Sequence, residues 1–377
     1  MTGPVRHRRG RMPTGPFAGL VALLVFAAVL VFALFLARGN PLAGSPDGDG
    51  GRPTVIGYVP YWDQVRAFDV ATAHLHLFDE ISPVWYAPEP SGGVELADAE
   101  HTVVDPAAVA HLRAEGVRVV PTVTNLRSGE WDTETVQSVV RDPDTRRAHI
   151  RELVNLAVTE DYDGLDIDYE DLDAADREPF TEFVVDLAAA LHAEDKILTV
   201  DVHPKTSESG DDGRNQAQDF AAIGAAADQV RLMTYDYSWD TSPPGPVAPA
   251  DWVEEVVAWT VTQIPAHKVI LGIDLLGYDW ADGHGETVDH AQVQDLLAEH
   301  GSTVNRTDDG TPWFVYHDAG GTRHEVWFED AESAGAKLEL VADYDLGGAF
   351  FWRLGGEDAA VWDDEMCHLG CPEQHPR

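Results

Sequence analysis

The stretch YDGLDIDYED, residues 162–171, carries five carboxylates within ten residues. Its apolar and acidic residues alternate with a period of two, which is typical of a β-strand. One face of that strand carries Leu165, Ile167 and Tyr169. The other face carries Asp166, Asp168 and Glu170, with successive acids about 6.5–7 Å apart. Three aligned inward carboxylates cost stability through desolvation and mutual repulsion, so this face indicates chemistry rather than packing.

Acid catalysis is the chemistry that this row favours. Glu170 lies at the C-terminal end of the predicted strand, where negative neighbours and partial burial should raise its pKa. A glutamate that is protonated near neutral pH can donate to a leaving group. Asp166 and Asp168 can share a proton, and Asp168 can then turn between Asp166 and Glu170.

The row of acids has two other interpretations. A solvated acidic edge strand fits poorly, because the opposite face is wholly apolar. A Mg²⁺ site on D-x-D-x-E is the second, although neither register supplies the glycine and glutamate of an EF-hand loop. We therefore expect no metal and no cofactor.

The elements that would position these acids follow from the rest of the chain. Eight β-branched or apolar runs read as strands, and amphipathic segments such as 180–194 and 221–228 read as helices. The runs are 54–59, part of 74–86, 117–125, 163–170, 197–203, 230–237, 268–276 and 347–354. This order predicts an α/β fold, a (β/α)8 TIM barrel with its active site at the carboxyl ends of the strands. The long gap before the last run predicts a small α+β insertion at about 280–340, with a hairpin within 311–330.

Both ends of the chain lie outside the predicted barrel at 54–365. Arginines precede an uncharged apolar run at 17–37, which is long enough to span a bilayer as a transmembrane helix. We expect residues 1–16 inside the cell, a flexible linker at 38–53, and the barrel outside the cytoplasm at the cell membrane. The alternative is secretion after cleavage of an export signal. In the tail at 366–377, a local disulfide between Cys367 and Cys371 is expected.

The charge of the chain limits its partners. The formal net charge is −41, and such a surface repels phosphate backbones, so nucleic acid is excluded as a partner. A neutral glycan is compatible with it, because sugar faces bind aromatic planes without needing charge. The expected partners are a glycan and, through 17–37, the membrane, and we expect a monomer.

The acidic strand also carries a family resemblance. YDGLDIDYE (162–170) resembles the signature of glycoside hydrolase family 18, the chitinase-like enzymes. Four further stretches resemble strands of that family, so the similarity covers about 54–365. They are GYVPYW (57–62), ISPVWY (81–86), MTYDYSW (233–239) and GAFFWRLGGED (348–358). HEVWFEDAESAGAKLEL (324–340) with FFWRLGG (350–356) resembles the spore-germination branch, which cuts N-acetylglucosaminyl bonds in peptidoglycan. One departure is Leu276, where the family often has Tyr.

The resemblance implies a mechanism. Family 18 is an exception among retaining glycosidases, because the 2-acetamido group of the substrate replaces the carboxylate nucleophile. It implies that Glu170 protonates the leaving oxygen, Asp168 binds the acetamide N–H and the Tyr235 hydroxyl holds the acetamide oxygen. Trp352 would form the floor of the sugar site. Met233 and Asp236 would complete the pocket. Tyr58, Trp85 and Asn125 lie near predicted strand ends, and from that position we expect them to contact further sugars.

The function implied is a retaining hydrolase of β-1,4-linked N-acetylglucosamine in chitin or peptidoglycan. The alternative is a glycan-binding lectin on the same fold without turnover. Lectins of the family typically lose the acid, whereas Glu170 is present here with both aspartates.

Overall fold

A computed structural model describes residues 52–363 except 128 and 211, together with 366 and 369. The predicted transmembrane run at 17–37, most of the linker at 38–53 and the pair Cys367 and Cys371 lie outside the described residues. Among the helices of the described part, none combines the length and apolar character needed to cross a membrane.

Eight parallel strands of the described chain form a closed barrel. They are β1 Thr54–Pro60, β2 Glu80–Pro88, β3 Thr122–Thr124, β4 Gly164–Asp168, β5 Ile197–Val202, β6 Gln229–Leu232, β7 Val269–Asp274 and β8 Gly348–Trp352. Each strand pairs with the next in chain order, from β1–β2 through β7–β8. The pairing of β8 with β1 closes the sheet and confirms the predicted barrel.

The strands alternate with helices. The helices are Gln64–Ala73, Pro106–Ala114, Thr133–Arg141, Pro143–Thr159, Arg177–His192, Gly213–Gln216, Phe220–Ala226, Ala250–Thr260, His290–His300 and Ala331–Asp343. Short 3₁₀ turns are Tyr61–Asp63, Ala174–Asp176, Ala266–Lys268 and Ala359–Trp362. Side chains that cap the first turn of a following helix include Asp105, Asp132, Asp142, Asp219, Asp289 and Asp330. Part of the acidity of the chain therefore satisfies backbone N–H groups at helix starts.

The core has two layers, as the alternation along β4 predicts. Leu165, Ile167 and Tyr169 are buried between the strands and the surrounding helices. The barrel interior holds a second apolar cluster that includes Ile56, Met233 and Phe350. Gly164 opens β4 where a Cβ would collide with the backbone carbonyl of Ile197 on β5, so the close approach of these two strands requires glycine.

An antiparallel sheet is inserted after β7. Its strands are Gly277–Ala281, His284–Val288, Asn305–Arg306, Pro312–His317 and Arg323–Phe328. The pairing of Pro312–His317 with Arg323–Phe328 is the hairpin predicted within 311–330. One face of the sheet packs against helix His290–His300 through Val293, Phe314 and Val326. The opposite face carries Tyr278, which lies beside the barrel mouth.

Three shorter pairings complete the strands. Val94–Leu96 runs antiparallel to β2, and Arg118–Val119 pairs with β2 in parallel. Leu126–Arg127 pairs with Glu130–Trp131 as a small hairpin that follows β3.

Candidate active site

The row of acids on β4 points into the barrel. Asp166 is fully buried, and Asp168 and Glu170 follow it toward the mouth. Glu170 retains 16% of its side-chain exposure. Its backbone is held by Asn125, whose Nδ2 donates to the Glu170 carbonyl at 3.0 Å and whose Oδ1 accepts from the Glu170 N–H at 2.8 Å. The acid is therefore fixed at the backbone before any substrate is present.

A buried polar network anchors Asp166 below the acid. Asp166 accepts hydrogen bonds from Thr122 Oγ1 at 2.9 Å and Thr199 Oγ1 at 2.5 Å. Its Oδ2 also lies 3.0 Å from the Tyr58 hydroxyl and 3.3 Å from Arg231 Nη1. Because it accepts hydrogen bonds from three hydroxyls and pairs with Arg231, the lowest acid of the row is held in one orientation.

Arg231 supplies the positive charge of this network. Its guanidinium is fully buried and donates to the Tyr58 hydroxyl at 2.8 Å, to Ser82 Oγ at 2.7 Å and to the carboxylate of Glu80. Asp201 joins from β5, with its Oδ1 2.9 Å from the Tyr58 hydroxyl. Burial, reinforced by Asp166 and Asp168, raises the pKa of Asp201 well above its usual value.

The two upper acids interact, and both have raised pKa values. Burial, followed by the charge of Asp168, raises the pKa of Glu170 well above its usual value. Burial and then Asp166 raise the pKa of Asp168 to about 7, against hydrogen bonds with Thr124 and Glu170 that lower it. The pair thus places a carboxyl with a strongly raised pKa beside a second carboxyl that accepts hydrogen bonds.

A cavity of about 330 Å³ opens beside this pair. Its lining residues are Trp62, Tyr235, Asp236, Asp274, Leu276, Tyr278, Thr287, Trp352 and Arg353. Trp352 lies at the end of β8, edge-to-face with Tyr58 at 5.6 Å and with Trp62 at 6.2 Å. From the inserted sheet, the Tyr278 hydroxyl donates to Asp236 Oδ1 at 3.2 Å. The cavity therefore has an aromatic floor and polar walls, which suits a sugar ring.

Several predicted site residues meet at this mouth. Tyr235 and Asp236 follow β6 and line the cavity with Trp352, and Met233 packs below in the barrel interior. Burial, followed by the charges of Asp201 and Glu170, raises the pKa of Tyr235 well above its usual value. Its hydroxyl is accordingly a proton-bearing donor at working pH.

Three expected sugar contacts lie elsewhere and are corrected. Trp85 shares the outward face of β2 with Ile81 and is fully buried against Phe68, so its ring cannot stack on a sugar. Tyr58 is 2% exposed, and its hydroxyl is hydrogen-bonded within the network around Asp166. The Asn125 amide is bonded to the backbone of Glu170 rather than turned toward the cavity.

Five residues of the site were missed in the sequence. They are His203, Asp201, Arg231, Asp274 and Tyr278. Asp201 and Arg231 each interrupt an apolar strand, ILTVDV and QVRL, and a lone charge inside a buried strand is a usable signal. Asp274 ends β7 in the same way, with its Oδ1 accepting from the backbone N–H groups of Leu275 and Leu276.

The closed barrel carries a glutamate of raised pKa at the carboxyl ends of its strands, an arrangement typical of an enzyme that donates a proton. Residues 54–357 match the model of glycosyl hydrolases family 18, so the chain belongs to that family. It is a glycoside hydrolase, as the resemblance of its acidic strand predicted.

Named relatives point in the same direction. The chain is 30% identical over 321 residues to YdhD of Bacillus subtilis, which is provisionally named a sporulation-specific glycosylase. The alignment covers 82% of this chain and 69% of YdhD. It is 32% identical over 240 residues to the cortical fragment-lytic enzyme of Bacillus subtilis, covering 62% of this chain and only 56% of that enzyme. A chitinase from Chromobacterium violaceum has a similar structure, with a TM-score of 0.77 at 29% identity over 85% of this chain and all of the chitinase.

Proposed function

We propose that this chain is a retaining hydrolase of β-1,4-linked N-acetylglucosamine in chitin-like or peptidoglycan glycans, with the substrate acetamide as nucleophile. The observation that carries the proposal is the pair of Asp168 and Glu170. The pKa of Glu170 is raised well above its usual value, and Asp168 is hydrogen-bonded to it in the same row of acids. A proton donor next to a carboxylate acceptor is what substrate-assisted cleavage needs.

In the first step, Glu170 transfers its proton to the glycosidic oxygen. As that bond breaks, the acetamide oxygen of the sugar attacks the anomeric carbon and closes an oxazolinium ring. Asp168 accepts the acetamide N–H and offsets the positive charge that develops on the ring. The Tyr235 hydroxyl donates to the acetamide oxygen and keeps it in line for attack.

In the second step, the carboxylate of Glu170 removes a proton from a water molecule. The oxygen of that water attacks the anomeric carbon, the ring opens and the acetamide is restored. Glu170 is protonated again, so the acid and the base of the cycle are the same residue. Two displacements leave the anomeric configuration unchanged.

The location of Asp168 argues against a covalent glycosyl-enzyme. A nucleophilic carboxylate sits across the sugar from the acid, about 5–5.5 Å away. Asp168 is instead hydrogen-bonded to Glu170, which follows it two residues further along the chain. The attack on the opposite side is therefore assigned to the substrate itself.

Two substrate classes follow from the names of the relatives. The structural neighbour is a chitinase and one sequence relative is a cortical fragment-lytic enzyme. We therefore propose cleavage of chitin oligomers, of peptidoglycan, or of both. The apolar run at 17–37 supports action outside the cytoplasm, where these glycans are found.

The test compares purified peptidoglycan with N-acetylglucosamine oligomers, with products identified by mass spectrometry. The first-formed anomer, followed by NMR, should be β, and oligomers without the acetyl groups should not be cleaved. Glu170→Gln should keep binding and lose turnover by roughly 10²–10⁴-fold or more. Glu332→Gln, on an exposed helix start, is the matched control and should behave like wild type. Full turnover in Glu170→Gln, or loss of turnover with a chelator, would contradict the proposal.

A further inference from the structure

His203 is a neighbour of the acid that the steps above do not use. It follows β5 at the carboxyl end of the barrel, and its Nε2 lies 3.4 Å from Glu170 Oε2. Only 11% of its side chain is exposed. Its backbone N–H donates to Gln218 Oε1 at 2.8 Å, which fixes the residue after the strand. The ring is therefore held against the acid from a different strand.

The contacts of the imidazole are incomplete. Nε2 is buried and has no hydrogen-bond partner within the described part of the chain. A buried polar nitrogen without a partner is costly, so its position against Glu170 calls for an explanation. In unliganded enzymes catalytic hydrogen bonds are often long and tighten only when the reaction proceeds.

The charge state of the ring decides what it can offer. Burial, followed by the charge of Arg214, lowers the pKa of His203 to about 4, so the ring is neutral at working pH. A neutral imidazole has one N–H donor and one acceptor nitrogen. Its Nε2 side faces Glu170 and the acids beside it, Asp168 and Asp236, which favours the proton on Nε2.

Arg214 is a cation near the acid, and it is already paired with a carboxylate. Its Nε and Nη2 donate to Asp212 Oδ2 at 3.0 and 2.7 Å. It is also half-exposed, so its effect on Glu170 is screened by solvent. The neutral, enclosed donor on His203 is therefore the better-placed partner for a carboxylate at position 170.

We infer that His203 is a positioning residue for the acid, and that its Nε2–H donates to Glu170 Oε2 while Glu170 is a carboxylate. This inference rests on the proposed function. In the interval between the two steps, Glu170 has lost its proton among Asp168 and Asp236, and a charge-assisted hydrogen bond stabilises it there. That bond occupies Oε2 and leaves Oε1 to take the proton from water. No proton passes through His203.

The test is the pH profile of kcat/KM on an N-acetylglucosamine oligomer. Its alkaline limb reports loss of the proton from Glu170 in the free enzyme. His203→Leu removes the donor and destabilises the carboxylate, so the alkaline limb should move to higher pH by about one unit. The first step converts Glu170 into a carboxylate that no longer receives this hydrogen bond, so its barrier should rise and kcat should fall about tenfold while KM stays within about twofold.

A second variant tests the donor itself. His203→Gln carries an amide N–H of similar reach and should return the limb and kcat toward wild type. If His203→Leu does not fold, His203→Asn, whose amide is shorter, takes its place. His149→Gln is the matched control, because His149 is another buried histidine whose pKa burial lowers to about 4. Its ring contacts the Tyr169 hydroxyl in the strand–helix layer, so this change should lower stability without moving the limb.

The outcomes distinguish a failure of the proposed function from a failure of the role of His203. Wild-type protein that cleaves none of the glycans overturns the proposed function. If the wild type is active but the alkaline limb of kcat/KM in His203→Leu stays in place or moves to lower pH, the role of His203 is overturned. A folded His203→Gln that behaves like His203→Leu also overturns it, because the donor would then be irrelevant.

Discussion

At the scale of single residues, the acid depends on the two carboxylates below it. The charge of Asp168 is the second cause, after burial, of the raised pKa of Glu170. Asp168→Asn removes that charge, so the pKa of Glu170 should fall and the alkaline limb of kcat/KM should move to lower pH. This shift is opposite in sign to the one expected for His203→Leu.

The same substitution should also slow the reaction. Without the negative charge of Asp168, the oxazolinium ring loses its counter-charge, and kcat should fall by roughly 10²–10³-fold. Steady-state kinetics between pH 5 and 9 would measure both effects. A limb that moves upward in Asp168→Asn would show that Asp168 does not raise the pKa of Glu170.

The sequence predicted the acids but not their neighbours. Alternation along one strand assigns Asp166, Asp168 and Glu170 to one face, because the period of a strand is two. The same argument, applied to β2, would have turned Trp85 outward with Ile81. By contrast, the contact of His203 with Glu170 joins the ends of two strands, and no periodicity within either strand encodes it.

At the scale of elements, one buried arginine links five strands of the barrel. Arg231 on β6 contacts Glu80 and Ser82 on β2, Tyr58 on β1 and Asp166 on β4, and Tyr58 in turn contacts Asp201 on β5. A guanidinium can serve several acceptors at once because it has five N–H donors in a fixed plane. The strands that carry the acids are thereby tied together inside the barrel.

Arg231→Met should therefore destabilise the fold. The change keeps an apolar stem but removes the cation beside Asp166 and leaves Glu80 with Arg118 alone, and loss of one partner of a buried ion pair typically costs about 3–5 kcal/mol of unfolding free energy. Urea unfolding at pH 7 would measure this loss. Arg147→Met is the control, because Arg147 is 61% exposed and pairs only with Asp144 on its own helix. Equal stability of Arg231→Met and wild type would contradict a structural role for the network.

The elements themselves were more predictable than this link. Each strand is a short apolar or β-branched run, so the local sequence is enough to predict it. The hairpin within 311–330 is determined by its turn residues. The partners Ser82 and Tyr58 lie 149 and 173 residues before Arg231. Only closure of the barrel brings them together. The sequence therefore marks Arg231 as a lone charge in β6 but does not predict its partners.

At the scale of the whole molecule, the acidity of the chain acts in two places. Many aspartates cap helices or lie on the surface, where the net charge of −41 favours solubility. A smaller set is buried at the barrel mouth with raised pKa values: Asp168 at about 7, Asp274 at about 8, and Glu170 and Asp201 well above their usual values. Surface repulsion is screened by salt, whereas the buried set is screened much less.

The buried acids contribute stability that is lost as pH rises, whereas the buried His149 and His203, with pKa values lowered to about 4, contribute stability that is gained between about pH 4 and 6.5. The folded pKa values of the acids are above the unfolded values near 4, so at these carboxyls the native state holds more protons than the unfolded state between about pH 4 and 8. Stability is then complete below about pH 4 for these groups and decreases as pH rises through their folded pKa values. Each pKa unit corresponds to about 1.4 kcal/mol, so the buried set outweighs an isolated surface pair.

Asp274→Asn isolates one of these groups. Burial and the charge of Asp236 raise the pKa of Asp274 to about 8, and its Oδ1 accepts two backbone N–H groups. Asparagine keeps an oxygen for those bonds but cannot ionise, so the variant should lose less stability than wild type between pH 6 and 8. Urea unfolding in 0.1 M and 1 M salt measures the slope of the unfolding free energy against pH. The difference in slope between the variant and wild type should persist at high salt because the group is buried. Asp186→Asn, on an exposed helix face, should leave the slope unchanged. A stability of Asp274→Asn that decreases between pH 6 and 8 as steeply as that of wild type, at either salt concentration, would show that Asp274 ionises freely in the folded barrel.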